Sequence, residues 1–189
     1  MKKTFLLLCV ALTIGAVMMA SCKKDNAPSE PAIVLTEGAF VDMGGSVLWC
    51  SRNLGANNPY EDGEYYAFEA NKQGNASEID AQLTGTWRLP TKDEVEELIK
   101  NQKWVTLNGV NGYLLTGTNG NTLFIPCAGR MVLTDLKYKG TGACFWTKTL
   151  LGSSKYYSVI GENEAPLELS TDLAHIGGKY TLRVVMNKE

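Results

Sequence analysis

The stretch Trp87-Arg88-Leu89-Pro90-Thr91-Lys92-Asp93-Glu94 tells most about the fold of this sequence. Pro90 restricts the residue before it to extended geometry, so Leu89 ends a strand-like segment. Thr91 and Glu94 have the spacing of a capping box, in which the threonine hydroxyl accepts from the third helical amide and the glutamate reaches back. Apolar residues then recur three and four positions apart on one helical face: Val95, Leu98 and Ile99.

Short strands and turns are predicted on both sides of this helix. Upstream, residues 39–43 and 46–50 flank Gly44-Gly45, which indicates a β-hairpin. Downstream, five β-prone runs lie between Gly/Asn turns, and residues 71–86 are interpreted as a loop with room for a short helix. We therefore predict an α+β domain of short antiparallel strands and hairpins with one or two helices. The five runs are residues 113–116, 122–126, 142–147, 156–160 and 180–185.

The N-terminus has the layout of a secretion signal. Lys2 and Lys3 precede a run without charge from Thr4 to Ala20, which ends in small residues. This is a basic region, an apolar region and a processing site, so residues 1–21 are predicted to be a signal peptide. A permanent transmembrane helix is the alternative.

Met19-Ala20-Ser21-Cys22 resembles the bacterial lipobox. The resemblance implies that Cys22 is the lipid attachment site and that the membrane is a partner through this anchor. Residues 22–35 are polar and proline-containing and are interpreted as a flexible tether, and residues 36–189 as a single domain. No aspartate comes directly after Cys22, which in similar lipoproteins favours the outer membrane; the surface and the periplasmic face both stay open.

Composition excludes one class of partner. The chain has 18 basic and 20 acidic residues, with a net charge of −2. No basic cluster occurs beyond the tether. Since binding to phosphate backbones needs grouped Lys and Arg, we expect no nucleic-acid partner.

Several strings together resemble the Fibrobacter succinogenes major paralogous (FISUMP) domain. The resemblance implies a C-type-lectin-like fold, shared with formylglycine-generating enzymes, in exported or lipid-anchored proteins that mostly have no assigned activity. Trp87, Arg88, Leu89, Pro90, Thr91, Glu94 and Trp146 are the structural motif residues. The strings that carry the resemblance are Val47-Leu48-Trp49, Trp87-Arg88-Leu89-Pro90-Thr91, Ala128-Gly129-Arg130, Phe145-Trp146-Thr147 and Leu182-Arg183-Val184-Val185.

The aromatic and basic motif residues have a structural and a functional interpretation. Four tryptophans, Trp49, Trp87, Trp104 and Trp146, sit in strand or junction strings. We predict that they pack in the core, because each ring buries a large apolar area; a sugar-binding platform is the alternative. Arg88 is predicted to brace a carbonyl or carboxylate, with a ligand contact as the alternative.

Three cysteines, Cys50, Cys127 and Cys144, lie in the predicted domain. An exported protein is in a compartment that permits disulfides, and Cys127 and Cys144 both sit in strand-like segments. This pair is therefore the candidate disulfide. Three buried free thiols are the alternative.

Catalytic and metal-binding patterns are not found in the sequence. The single histidine, His175, is a loop residue that by itself forms neither a triad nor a zinc site. The calcium motifs of sugar-binding C-type lectins do not occur, and the oxygen-rich residues 57–64 are interpreted as a solvated loop. Cys127 and Cys144 do not follow the copper-binding cysteine pattern of formylglycine-generating enzymes. We expect no enzyme activity, no cofactor and no metal.

The function predicted from the sequence is a non-enzymatic binding module at the cell envelope, for a glycan or protein ligand, with adhesion as one possible role. Ligand contacts are expected on loops held by a rigid scaffold, with Tyr60, Tyr138 and Tyr156 as aromatic candidates. A structural component of an envelope or pilus assembly and a divergent formylglycine-generating enzyme are the alternatives. The candidate loops are residues 57–64, 116–121, 136–141 and 151–155.

Overall fold

The computed structural model describes residues 38–67, 87–151, 155–171 and 178–189, with no side-chain description at 151 and 155–157. All of these residues belong to one compact unit that runs from Val34 to Glu189. The predicted signal peptide, Cys22, the tether and His175 lie outside the described residues. Among the described residues, no helix has the length and apolar character needed to cross a membrane.

The described residues form fourteen strands and one helix. The helix, α1, lies between the fourth and fifth strands at Lys92–Leu98. The strands are β1 Phe40–Asp42, β2 Val47–Cys50, β3 Tyr66–Ala67, β4 Trp87–Arg88, β5 Gln102–Leu107, β6 Val110–Thr116, β7 Thr122–Pro126, β8 Arg130–Val132, β9 Asp135–Lys137, β10 Gly142–Leu151, β11 Lys155–Glu162, β12 Glu168–Ser170, β13 Gly178–Tyr180 and β14 Val185–Asn187.

The predicted α+β class with one or two helices is wrong, because the described residues form a β-rich fold with a single helix. Strands make up 50% of the described residues and helix only 6%. The capping box does start a helix, but that helix ends at the C-cap residue Ile99 and the chain enters β5 three residues later. Tertiary pairing of β5 with β6 therefore limits the helix to seven residues.

The strands form four antiparallel sheets. Their orders are β1-β2-β14-β4, β5-β6-β7, β10-β11-β12 and β3-β13-β8-β9. Two isolated parallel bridges, Gly129 with Ala143 and Phe145 with Thr181, connect β10 to neighbouring segments. The last strand, β14, lies between β2 and β4, so the C-terminal end of the chain closes the first sheet.

The hairpin predicted around Gly44-Gly45 is confirmed. Val41 of β1 pairs with Trp49 of β2, and both side chains are buried. Gly44 has a φ of +81°, which glycine adopts without strain. A Cβ at Gly44 would also lie 2.1 Å from the Thr118 hydroxyl, so the turn has no room for a side chain.

The junction between β4 and α1 is locked by reciprocal hydrogen bonds. The Thr91 hydroxyl accepts from the Glu94 amide at 3.3 Å, and the Glu94 carboxylate accepts from the Thr91 amide at 2.8 Å. Arg88 donates to the same carboxylate at 2.6 and 2.9 Å, a two-pronged ion pair. Burial opposes ionisation of Glu94, but the bonds from Arg88 and Thr91 outweigh it and lower its pKa. Arg88 therefore braces a carboxylate.

Strand β10 separates two hydrophobic clusters. Ala143 and Phe145 contact the larger cluster, whereas Cys144 and Trp146 contact the smaller one. This follows from the alternation of side chains along a strand. The larger cluster also includes Val41, Trp49, Val95, Tyr113, Leu115 and Val185, and the smaller includes Leu89, Tyr180, Leu182 and Val184.

The same alternation explains why the candidate disulfide is not formed. Cys50, Cys127 and Cys144 are all free thiols. Cys127 packs in the larger cluster and Cys144 in the smaller one, so the two side chains lie in different hydrophobic clusters. The candidate Cys127–Cys144 disulfide is therefore not formed, and all three cysteines are free thiols, of which Cys127 and Cys144 are buried and Cys50 is half-buried.

The prediction that all four tryptophans pack in the core is only partly correct. Trp49 and Trp146 are buried, and Trp146 stacks on Tyr180 with ring centroids 4.2 Å apart. Trp104 is half-buried, and Trp87 is 40% exposed. Trp87 lies on the two-residue edge strand β4, opposite Met186 of β14, while its neighbour Arg88 takes the inner side of the junction.

Arg183 is a fully buried cation beneath the first sheet. Its guanidinium donates to the Cys50 carbonyl at 3.1 Å and to the Phe124 carbonyl at 3.2 Å. Burial lowers its pKa to about 10, so the side chain stays charged at neutral pH. It joins β2 and β7 through their main chains, a structural role.

Candidate functional site

A groove of about 600 Å³ opens between three turns of the described chain. We call it the Asp62 groove. Its volume lies within the range typical of small-ligand sites, roughly 300–1,000 Å³. Its walls are the loop after β2, the β5–β6 turn and the loop around β9, with the lining residues Gly55, Tyr60, Glu61, Asp62, Gly63, Glu64, Gly109, Val110, Asn111, Cys127, Lys139 and Gly140.

The loop after β2 is fixed by its own polar groups. The Asn53 amide donates to the Asp62 carbonyl at 2.8 Å, and the Glu64 amide donates to the Leu54 carbonyl at 2.9 Å. Gly63 has a φ of +75°, and a Cβ there would lie 2.5 Å from the Leu54 carbonyl oxygen. The loop therefore approaches itself too closely for any residue but glycine at this position.

The acidic side chains of this loop already have partners. Glu61 accepts from the Asn57 backbone and from the Asn57 and Asn58 side chains at 2.7–3.1 Å. Glu64 accepts from the Tyr66 hydroxyl at 2.8 Å. In the part of the chain that the structure describes, no group of three or more His, Cys, Asp or Glu side chains is arranged to hold a metal ion.

The opposite wall is the loop between β7 and β10. The Gly140 amide donates to the Cys127 carbonyl at 2.7 Å, which closes the loop at its base. The Arg130 guanidinium lies 4.7 Å from the centre of the Tyr138 ring and 2.9 Å from the Glu162 carboxylate. The Arg130–Glu162 contact is an ion pair whose N–H direction is not aligned as a hydrogen bond. Arg130 therefore holds this loop from inside.

An ion pair between Asp62 and Lys139 joins the two walls. Asp62 is the better covered partner, with a side chain 21% exposed against 59% for Lys139. Below it, the Tyr65 hydroxyl donates to the Ala128 carbonyl at 2.6 Å. Burial, reinforced by the nearby Asp62 charge, raises the pKa of Tyr65, so the phenol stays a neutral donor.

The lining of the groove is acidic overall. Glu61, Asp62 and Glu64 face a single lysine, Lys139. Like charges across an interface cost free energy, so this lining disfavours anionic ligands and accommodates uncharged or cationic ones.

The two buried thiols, Cys127 in the lining of the groove and Cys144 in the smaller cluster, are unreactive at neutral pH. Burial raises the pKa of Cys127 to about 12 and that of Cys144 to about 11. Since the thiolate is the reactive form of cysteine, neither residue is an activated nucleophile at neutral pH.

The structure brings together two of the four loops predicted from the sequence. Residues 57–64 and 136–141 both border the Asp62 groove. Residues 116–121 lie elsewhere, and 116–118 line a smaller hollow of about 170 Å³ beside α1. The side chains of residues 151–155 all lie outside the described part of the chain.

The three predicted tyrosines have different positions. Tyr60 lines the groove and packs on Phe124 with ring centroids 5.6 Å apart. Tyr138 is 40% exposed and lies against Arg130, outside the lining of the groove. The side chain of Tyr156 lies outside the described residues. Cys22 does as well.

Sequence reasoning missed Asn111, and it placed Lys139 in a candidate loop without singling it out. Asn111 lies two residues after the turn glycine Gly109, and Lys139 directly precedes the turn glycine Gly140. Their turns were visible as Gly/Asn signals. Their convergence with Asp62 was not, because it joins segments far apart in the chain.

A second hollow of about 600 Å³ lies at the outer face of the first sheet, next to Leu48 and Met186. Asp42 and Lys188 form a surface pair at 2.7 Å in its lining, and Asn187 accepts from Arg88 of the β4–α1 junction. The Asp62 groove has more converging polar groups and is therefore the candidate site.

No protein-family model, curated protein or solved structure matches this chain. The resemblance to the FISUMP domain therefore stays a prediction. The function has to be argued from the groove itself.

Proposed function

We propose that this chain is a lipid-anchored protein of the cell envelope whose domain binds an uncharged glycan in the Asp62 groove without catalysing a reaction. The observation that carries the proposal is the groove itself: about 600 Å³, bordered by loops fixed by internal hydrogen bonds and crossed by the Asp62–Lys139 ion pair.

The chemistry of the lining supports a sugar ligand. Tyr60 offers a rigid aromatic ring with a polar tip, which matches a sugar with an apolar C–H face and a rim of hydroxyls. Asn111, Asp62 and Glu61 place amide and carboxylate groups around the same space. The acidic excess of the lining favours an uncharged glycan over an anionic one.

The state of the polar groups supports binding rather than turnover. Glu61, Asp62 and Glu64 are each engaged by a neighbouring donor or cation. Cys127 lines the groove, but burial keeps its thiol protonated. Fixed, satisfied groups suit a preorganised binding surface.

The envelope location rests on the sequence pattern of residues 1–22. A basic start, an uncharged run and the lipobox-like Met19-Ala20-Ser21-Cys22 support export and acylation. Several acyl chains on Cys22 would give durable attachment to the membrane, because a single chain binds only weakly and reversibly. We further propose the outer membrane as the site of attachment.

The test is a binding assay with the full lipidated chain in detergent, on an array of neutral and acidic glycans. We expect binding to neutral glycans, at least a tenfold loss in Asp62→Asn, and no change in Asp135→Asn. The two aspartates are matched, because each pairs with a nearby lysine and only Asp62 lies in the groove.

Three results would overturn the proposal. One is binding to acidic glycans alone, another is binding to no glycan, and the third is an equal loss in both aspartate variants. Capture of a protein instead of a glycan would move the chain to the protein-binding alternative.

A further inference from the structure

Two cavities of the described chain meet at shared lining residues. A second cavity of about 230 Å³, which we call the Trp104 cleft, is also lined by Asn111 and Gly140. The Asn111 amide donates to the Gly140 carbonyl at 3.0 Å. This hydrogen bond lies at the boundary between the two cavities.

Asn111 is held at both ends of its side-chain amide. Its Oδ1 accepts from the Thr106 hydroxyl at 2.6 Å while its Nδ2 donates to Gly140. The Asn111 side chain is therefore a fixed polar group at the boundary between the two cavities. A ligand long enough to occupy both cavities would cross this amide.

Trp104 is the aromatic wall of the cleft. It lies on β5 opposite Tyr113, with the two rings nearly perpendicular and their centroids 5.2 Å apart. Tyr113 is buried and fixes Trp104 from behind, while Trp104 itself is half-buried. Its indole N–H donates to no described residue, so it is available as a donor on a rigid apolar ring.

The turns around Asn111 and Gly140 hold several residues in the left-handed region of backbone conformation. Asn108, Tyr138, Asn163 and Glu164 have φ values of 54°, 60°, 54° and 67°. Left-handed backbone at Tyr and Glu costs free energy and persists where surrounding structure enforces it, often at ligand sites.

The enforcing contacts are present at the turn beside the cleft. The Tyr113 hydroxyl donates to the Ala165 carbonyl at 2.7 Å, and the Asn163 amide donates to the Thr141 carbonyl at 2.7 Å. Asn163 and Glu164 are thereby placed on the wall of the cleft.

We propose that the Asp62 groove and the Trp104 cleft form one extended site for an uncharged oligosaccharide. The chain crosses Asn111, one sugar packs on Trp104, and another lies beside Tyr60. The inference rests on the proposed glycan binding by the Asp62 groove and adds a ligand longer than one sugar.

The test is a titration of the full lipidated chain in detergent with neutral glucose, mannose and N-acetylglucosamine oligomers, from one to six units. Tryptophan emission is recorded for wild type, Trp104→Phe and Trp87→Phe. We expect affinity to rise at least tenfold with length in the best series, and the emission change to vanish in Trp104→Phe but not in Trp87→Phe. Trp87 is the matched control, an exposed tryptophan outside both cavities.

Further variants separate this inference from the proposal beneath it. Trp104→Phe keeps an aromatic ring against Tyr113, and Glu164→Gln changes the cleft without touching that contact. Length-independent binding that Asp62→Asn abolishes and both cleft variants leave unchanged would overturn the extended site and leave the groove as a glycan site. No response to any oligomer in the three series would overturn the extended site. If, in addition, the array shows no neutral glycan bound, glycan binding by the groove fails as well.

Discussion

The β4–α1 junction and the Asp62 groove each contain an ion pair, and the two pairs do different work. Arg88 and Glu94 are six residues apart, with side chains only 20% and 11% exposed, and their pair is merged with a helix cap. Asp62 and Lys139 are 77 residues apart and join two loops at a cavity. The first pair therefore stabilises the fold, whereas the second shapes a surface.

The largest effect that separates the two regions is expected from Leu89→Ala at the junction. Leu89 is fully buried in the smaller cluster, so its truncation leaves a cavity and should cost about 2–5 kcal/mol. Chemical denaturation measures this. Leu133→Ala is the control, since Leu133 is 71% exposed and its truncation should change stability by no more than about 0.5 kcal/mol. Equal effects would show that the junction is not a structural centre.

The next effect is the dependence of folding stability on pH through Glu94. Because the pKa of Glu94 is lowered in the folded state from its ordinary value of 4.5, its contribution is complete above that value. It is lost as the pH falls through the lower folded pKa. Glu94→Gln should therefore destabilise the protein by about 1–2 kcal/mol at pH 7 and flatten the loss of stability in acid.

Thermal unfolding between pH 2 and 7 measures that prediction. Glu96→Gln is its control, because Glu96 pairs with Lys92 on the surface with a side chain 51% exposed. Such exposed pairs contribute little, about 0.3–0.5 kcal/mol. An unchanged acid limb in Glu94→Gln would contradict the assignment.

A smaller effect on stability is expected in the groove. Asp62→Asn removes a pair whose lysine is 59% exposed, so the loss should stay below about 1 kcal/mol. Ligand binding should nevertheless fall at least tenfold. A stability loss as large as that of Glu94→Gln would erase the contrast between the two regions.

The smallest expected effect is that the two buried cysteines, Cys127 and Cys144, do not react with an alkylating reagent in the folded protein. Cys127 and Cys144 have pKa values raised by burial to about 12 and about 11. Both should resist alkylation by iodoacetamide at pH 8 in the folded protein and react after unfolding, as mass spectrometry of peptides would show. Rapid labelling of Cys127 in the folded chain would reveal a groove more open than the structure shows.

The comparison also explains what could be predicted from the sequence. The capping box of Thr91 with Glu94 and the hairpin at Gly44 are local patterns, and both were predicted correctly. The short length of α1 was not, since pairing of β5 with β6 decides it. The predicted α+β class is wrong for the same reason, because pairing between strands limits how much of the described chain is helical.

The candidate site was predictable only in part. Tyr60 and the loops at residues 57–64 and 136–141 were identified from turn-rich composition. The pairing of Asp62 with Lys139, and the place of Asn111 between two cavities, depend on long-range packing that leaves no local pattern. Trp87 was misjudged because a motif string does not tell which face of an edge strand a residue occupies.

Strand β10 has a consequence for how this protein can change over evolution. Because Phe145 faces one interior and Cys144 the other, a one-residue insertion there would exchange the two sets of side chains and disrupt both interiors at once. At the turn glycines Gly109 and Gly140, by contrast, an added Cβ would meet no atom within 4 Å. Variation in chain length is therefore expected at these turns, which border the Asp62 groove, so ligand preference could diverge while the wall between the two interiors stays the same.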